Sequence, residues 1–145
     1  MDIVAAGVQD YDELLAVWED SVRATHDFLT LADIDALKPM LMQQAFPSVH
    51  LQCVKNQQGA ILGFIGVHNH KIEMLFVKDS ARGQGIGKAL LIHAMDTMKI
   101  TLVDVNEQNL LARAFYERMG FHVISRSPVD DMGKPFPILH LQLSP

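Results

Sequence analysis

The chain has 145 residues, 49% of them apolar and 20% charged, with a formal net charge of −5. This balance fits one globular domain over residues 1–145, long enough to bury a core without metals or disulfides. The acidic charge and the lack of a basic stripe exclude a general nucleic-acid binder. The longest apolar stretch, Ala60–Val67, is too short to cross a bilayer, and Met1–Ala6 carries no secretory pattern. Cys53 is the one cysteine, so no internal disulfide can form and a reducing, cytoplasmic setting is expected.

Met1–Ala6 reads as a first strand. Tyr11–Thr25 carries Leu14, Leu15, Val17, Trp18 and Val22 at helical spacing, with Asp10 as a candidate N-cap. Leu31–Phe46 reads as a second helical region, in which Pro39 predicts a kink or a new turn. Val49–Lys55 and Ala60–His68 form a predicted hairpin around Asn56-Gln57-Gln58-Gly59, and Lys71–Val77 is a further strand. Ile86–Met98 is the clearest helix, with Ile86, Leu90, Leu91, Ala94, Met95 and Met98 on one face. Ile100–Val105 is a strand, Leu110–Met119 a helix stopped by Gly120, and Phe121–Arg126 and Ile138–Leu143 are closing strands. This order predicts an α/β fold: a mixed sheet of about seven strands flanked by about four helices.

The stretch from Val77 to Lys88 sits between a predicted strand and the strongest predicted helix. Gly83, Gly85 and Gly87 let the backbone turn its N–H groups toward a ligand, and a helix N-terminus favours an anion. Arg82 and Lys88 add positive charge, so a pyrophosphate is the expected guest. The nucleotide P-loop pattern fails because Ala89 follows Lys88 and position 82 is not glycine. The dinucleotide fingerprint fails because the spacing is G-x-G-x-G.

Arg82-x-x-Gly85-x-Gly87, following a strand that ends Leu75-Phe76-Val77, resembles the coenzyme A motif of the GCN5-related N-acetyltransferase (GNAT) superfamily. Asn109-x-x-Ala112-x-x-x-Tyr116-x-x-x-Gly120-Phe121 resembles that superfamily's downstream motif, and the resemblance covers nearly the whole chain. It implies a mostly antiparallel mixed sheet whose central strands splay, and transfer of an acetyl group from acetyl-CoA directly to an amine. The acceptor would be a small-molecule or peptide amine, and the protein a monomer or homodimer.

The resemblance also implies residue roles. Backbone groups of Arg82, Gly83, Gln84, Gly85, Ile86, Gly87 and Lys88 would hold the pyrophosphate. Leu75, Phe76 and Val77 would line the pantetheine arm, with the backbones of Leu75 and Val77 pairing to it. Tyr116 would protonate the departing thiolate; the plain alternative is a core aromatic. Asn109 would touch the coenzyme or cap its helix.

Glu73 is the candidate base, with a water chain as the alternative and a solvated or paired carboxylate as the plain reading, and strict alternation puts it on one face with Leu75 and Val77. His26, Phe28, His70 and Asp130 are candidate acceptor contacts. His68 and His70 stand as H-x-H without further ligands at metal spacing, so no metal is expected. Cys53 lies inside a predicted strand with no histidine partner, which disfavours an acyl-enzyme. A non-catalytic acetyl-CoA sensor would share the loop but need neither Tyr116 nor a base.

Overall fold

The computed structural model describes all 145 residues. One seven-stranded sheet runs in the order β1-β2-β3-β4-β5-β7-β6. Its strands are β1 (Ile3–Ala5), β2 (His50–Lys55), β3 (Ile61–His68), β4 (Lys71–Val77), β5 (Leu102–Asn106), β6 (Phe121–Ser127) and β7 (Ile138–Leu143). Four helices flank it: α1 (Tyr11–Thr25), α2 (Leu31–Met40), α3 (Ile86–Met98) and α4 (Leu110–Arg118).

Each helix has a local cause. In α1, Leu14, Val17, Trp18 and Val22 recur at three- and four-residue spacing and are all buried. The Thr30 side chain accepts from Asp33 N, and Asp33 accepts from Thr30 N, which closes a reciprocal cap on α2. Pro39 lies in the last turn of α2, where it cannot donate to the ladder. Beyond it the chain widens into a π-helical turn, Leu41–Ala45, before a short turn at Phe46–Ser48. The expected kink is thus a change of helix type. In α4, Asn109 Oδ1 accepts from Ala112 N at 3.1 Å.

All strand pairs are antiparallel except β4 and β5. That parallel pair is brief: Lys71 faces Leu102 and Ile72 faces Val103, and no pairing follows. Yet β4 continues to Val77 and β5 to Asn106, so the two strands diverge at the centre of the sheet. The hairpin β6–β7 places β7 inside, against β5, which supplies the second half of the sheet.

Two apolar clusters cover opposite faces. One joins α3 and α4 to the sheet through Ile86, Leu90, Leu91, Ala94, Tyr116, Val103 and Leu141. The other joins α1 and α2 to β2–β4 through Leu14, Trp18, Ile34, Cys53, Phe64 and Met74. On β5 and β7, Asp104 and His140 alternate with buried Val103, Val105, Leu139 and Leu141 and give the opposite face a polar centre. There Lys71 Nζ lies 2.6 Å from Asp104, His140 donates to Asp104 at 2.7 Å, and Ser127 Oγ lies 2.7 Å from His140 Nε2. This ladder links the side chains of Lys71, Asp104, His140 and Ser127 across four strands.

Candidate active site

The loop after β4 is shaped by two glycines at positive φ, Gly83 at 79° and Gly85 at 80°. An added Cβ would meet nothing within 4 Å at either, so they are needed for backbone shape and not for space. Gly85 is the N-cap of α3, and no side chain caps that helix. Its first N–H groups therefore remain available to an anion. Gly63 on β3 seats the helix. A Cβ there would lie 2.9 Å from Ile86 Cγ2 and 3.1 Å from the Phe76 carbonyl oxygen. Gly63 was not singled out from the sequence, although a glycine inside an apolar strand is the kind of signal that marks such a close approach. Arg82 pairs with Asp79 at 3.2 Å, and Asp79 N donates to Asp20 at 2.8 Å, which ties the cradle to α1.

A cavity of about 410 Å³ opens from this cradle. It is lined by Leu75, Phe76 and Val77 of β4, by Arg82, Gly83, Gly85, Ile86, Gly87 and Lys88, and by Asn109 and Tyr116. Gln84 is exposed and outside the lining. Leu111, Phe115 and Arg118 of α4 and Ser21 of α1 also line it; they stand outside both motifs and carried no sequence signal of their own.

Tyr116 is only 6% exposed and its ring meets Phe115 and Phe121 edge-on, at 5.1 and 5.6 Å. It is therefore both a core aromatic and a cavity wall. Burial pushes its phenol well above the ordinary value of about 10, so the hydroxyl stays protonated.

A second cavity, of about 760 Å³, lies on the α2 side. Its apolar wall includes Trp18, Leu37, Met40, Leu41 and Met74, and its polar lining includes Glu73, Asn106, Asp130 and Asp131. Asn106 Oδ1 is buried there without a hydrogen-bond partner. Nothing in the sequence singled out Asn106, whose position depends on the divergence of β5.

Several candidate residues take positions that the sequence did not give. A bulge interrupts β4, since Gly66 pairs Met74 while the next residue, Val67, pairs Ile72. Glu73 is the extra residue. It lines the second cavity, whereas Leu75 and Val77 pack on the α3 side, so strict alternation fails at this point.

His26 lines the first cavity, but both its ring nitrogens are engaged. Thr25 Oγ1 donates to the Ser21 carbonyl at 2.8 Å, so it accepts from His26 Nδ1, also at 2.8 Å. His26 Nε2 then accepts from Asn109 Nδ2 at 3.3 Å. Burial lowers the His26 pKa, against a smaller opposing effect of Asp27, which suits this neutral form. Asn109 thus caps α4 with one atom and holds α1 with the other.

Phe28 lines neither cavity; it stacks between His26 at 5.3 Å and Phe136 at 5.6 Å. His70 also lies outside both, with Nδ1 near the Met98 and Lys99 carbonyls at 3.2 and 3.1 Å, at the end of α3. Asp130 lines the second cavity while its carboxylate accepts from Met132 N and Lys134 N, both at 2.9 Å. Cys53 is fully buried and burial raises its pKa, the state of an inert thiol.

A parallel strand pair that opens beside a glycine loop and an uncapped helix start, with one cavity on either side, defines an acyl-CoA-dependent N-acyltransferase fold. A sequence-family model described as an acetyltransferase (GNAT) domain matches residues 23–137. Peptidyl-lysine N-acetyltransferase YjaB of Salmonella typhimurium is 41% identical over 92% of this chain and 91% of that protein. The Escherichia coli protein of the same name is 38% identical over 92% and 90%. The solution structure of apo YjaB from Escherichia coli superposes with a TM-score of 0.87 at 35% identity, covering 97% of this chain and 95% of that one. An N-acetyltransferase from Thermoplasma acidophilum, solved with coenzyme A, shares the fold with a TM-score of 0.72 at 21% identity, over 97% and 98%. The chain belongs to the GNAT family, and it transfers an acetyl group from acetyl-CoA to an amine. No helix is long and apolar enough to cross a membrane.

Proposed function

We propose that the acceptor is the ε-amine of a lysine in a peptide or protein, and that donor and acceptor enter from the two cavities. The observation that carries this reading is their placement on either side of β4. One holds an anion cradle and a protonated phenol; the other holds apolar walls and carboxylates. The apolar walls suit a lysine stem, and Glu73, Asp130 and Asp131 suit its cationic head. The names of the YjaB relatives agree with this acceptor.

The N–H groups from Arg82 to Lys88 would hold the pyrophosphate, and the free edge of β4 would pair with the pantetheine arm as a missing strand. Glu73 takes a proton from the acceptor ammonium, directly or through water. The freed amine attacks the thioester carbon; the C–N bond forms, the C–S bond breaks, and the nitrogen, which would otherwise keep one proton too many for an amide, releases that proton to solvent. Tyr116 gives its proton to the leaving thiolate and is reprotonated from solvent. A phenol with a raised pKa can serve because the same dry site also destabilises the thiolate.

The test is acetylation of a synthetic peptide bearing one lysine and a free N-terminus, mapped by mass spectrometry. Acetyl on the lysine supports the reading; acetyl confined to the α-amine would overturn it. Glu73→Gln should also move the rise of the pH–rate profile to higher pH, because the acceptor ammonium must then lose its proton to solvent before it can attack. An unaltered profile would dismiss Glu73 as the base.

A further inference from the structure

The two cavities share a single lining residue, Phe76. It sits on β4 beyond Ile72, where β5 has already left, and directly opposite Phe64 on β3. Its ring is backed by a row of aromatics. Tyr11 meets Phe46 at 5.3 Å, Phe46 meets Phe64 at 5.9 Å and Phe64 meets Phe76 at 5.8 Å. Phe46 and Phe64 are fully buried, so the ring of Phe76 cannot swing away from the junction without displacing the core behind it.

We infer that Phe76 sets the length of the acyl group this enzyme accepts. The inference rests on the donor placement proposed above. A thioester carbon from one cavity and an amine from the other must come within bonding distance. The only shared wall is Phe76, so the acyl group stands against its ring during transfer. An acetyl group presents one methyl there. Each further methylene must occupy space that the ring fills, or fold back into the donor channel and draw the carbonyl away from the amine. The ring is thus a specificity-determining wall between the two substrates, distinct from the groups that move protons.

The test is calorimetric binding of acetyl-CoA and butyryl-CoA to the native chain, Phe76→Ala and Phe76→Leu, with Gly85→Glu as a control on the cradle. The expected result is a fall in the ratio of butyryl-CoA to acetyl-CoA dissociation constants. Burying two further methylenes corresponds to about fifteen-fold in Phe76→Ala, with a smaller fall in Phe76→Leu. Phe76→Leu keeps an apolar side chain against Phe64, so it reports even where the alanine variant unfolds. Folded variants with the native ratio would overturn the role of Phe76 and leave the donor site standing. Failure of the native chain to bind acetyl-CoA, or native binding by Gly85→Glu, would overturn the donor site itself and the inference with it.

Discussion

Tyr116 and His26 each hold part of the fold together and also line the first cavity. The Tyr116 ring packs against Phe115 and Phe121 while its cavity-facing side remains open to a ligand. Tyr116→Phe keeps the ring and removes the proton. It should leave acetyl-CoA affinity within about threefold and lower kcat by about a hundredfold, the scale of lost general acid catalysis. Steady-state kinetics beside calorimetry would check this, and unchanged kcat would remove the assignment.

His26 makes a different demand, because its contact with Asn109 requires a neutral ring. Its folded pKa lies below the ordinary 6.5, so its contribution to stability is complete above that value. As pH falls through it, the unfolded chain takes a proton that the folded chain refuses, and stability declines. The midpoint of thermal unfolding should therefore drop between about pH 7.5 and pH 5.5. His26→Gln retains an acceptor toward Asn109 and should flatten part of that drop. An identical slope in the variant would show that His26 is not among the groups responsible.

At the scale of elements, the cradle depends on glycines with unlike jobs. Gly85 needs its positive φ and has open space around it, so Gly85→Ala should cost about 1–2 kcal/mol through the backbone alone. Gly63 has an ordinary backbone but no room. Gly63→Ala forces Ile86 and the Phe76 carbonyl apart, at a similar cost of about 1–3 kcal/mol. The two are told apart by acetyl-CoA affinity at matched stability. Gly63→Ala moves the start of α3 relative to β4 and should weaken binding more than its unfolding midpoint implies. Equal effects on stability and binding would mean that α3 is not seated through Gly63. The bulge at Glu73 and the π-helical turn after Pro39 are likewise local departures from regular structure, and both border the second cavity.

Across the whole molecule, the decisive feature is a sheet with an open middle. Beyond Ile72, β4 has no strand partner on the β5 side. Acetyl-CoA filling that gap should stabilise the fold by mass action. At a hundredfold excess over its dissociation constant the gain is about 2.7 kcal/mol, or a rise of roughly 5–10 °C in the unfolding midpoint. Hydrogen exchange should slow most at the amides of residues 73–77 that point away from β3. Protection spread evenly over the sheet would argue against the ligand acting as the missing strand.

Local chemistry sufficed for much of this. Helical spacing placed α1 and α3, Asn56 and Gly59 placed the β2–β3 turn, and the glycines after Val77 placed the cradle, because each depends on neighbours a few residues away. The family was legible for the same reason: its two motifs are contiguous strings. The direction of Glu73 was not, since a bulge is fixed by pairing with β3. Nor were the pairing of His26 with Asn109 and the junction at Phe76. His26 and Asn109 are 83 residues apart, and the junction needs β4, α1, α2 and α4 assembled at once. The sequence by itself determined the elements and the family; only the tertiary structure decided which side chains face each other across the gap, because that depends on where β5 leaves β4.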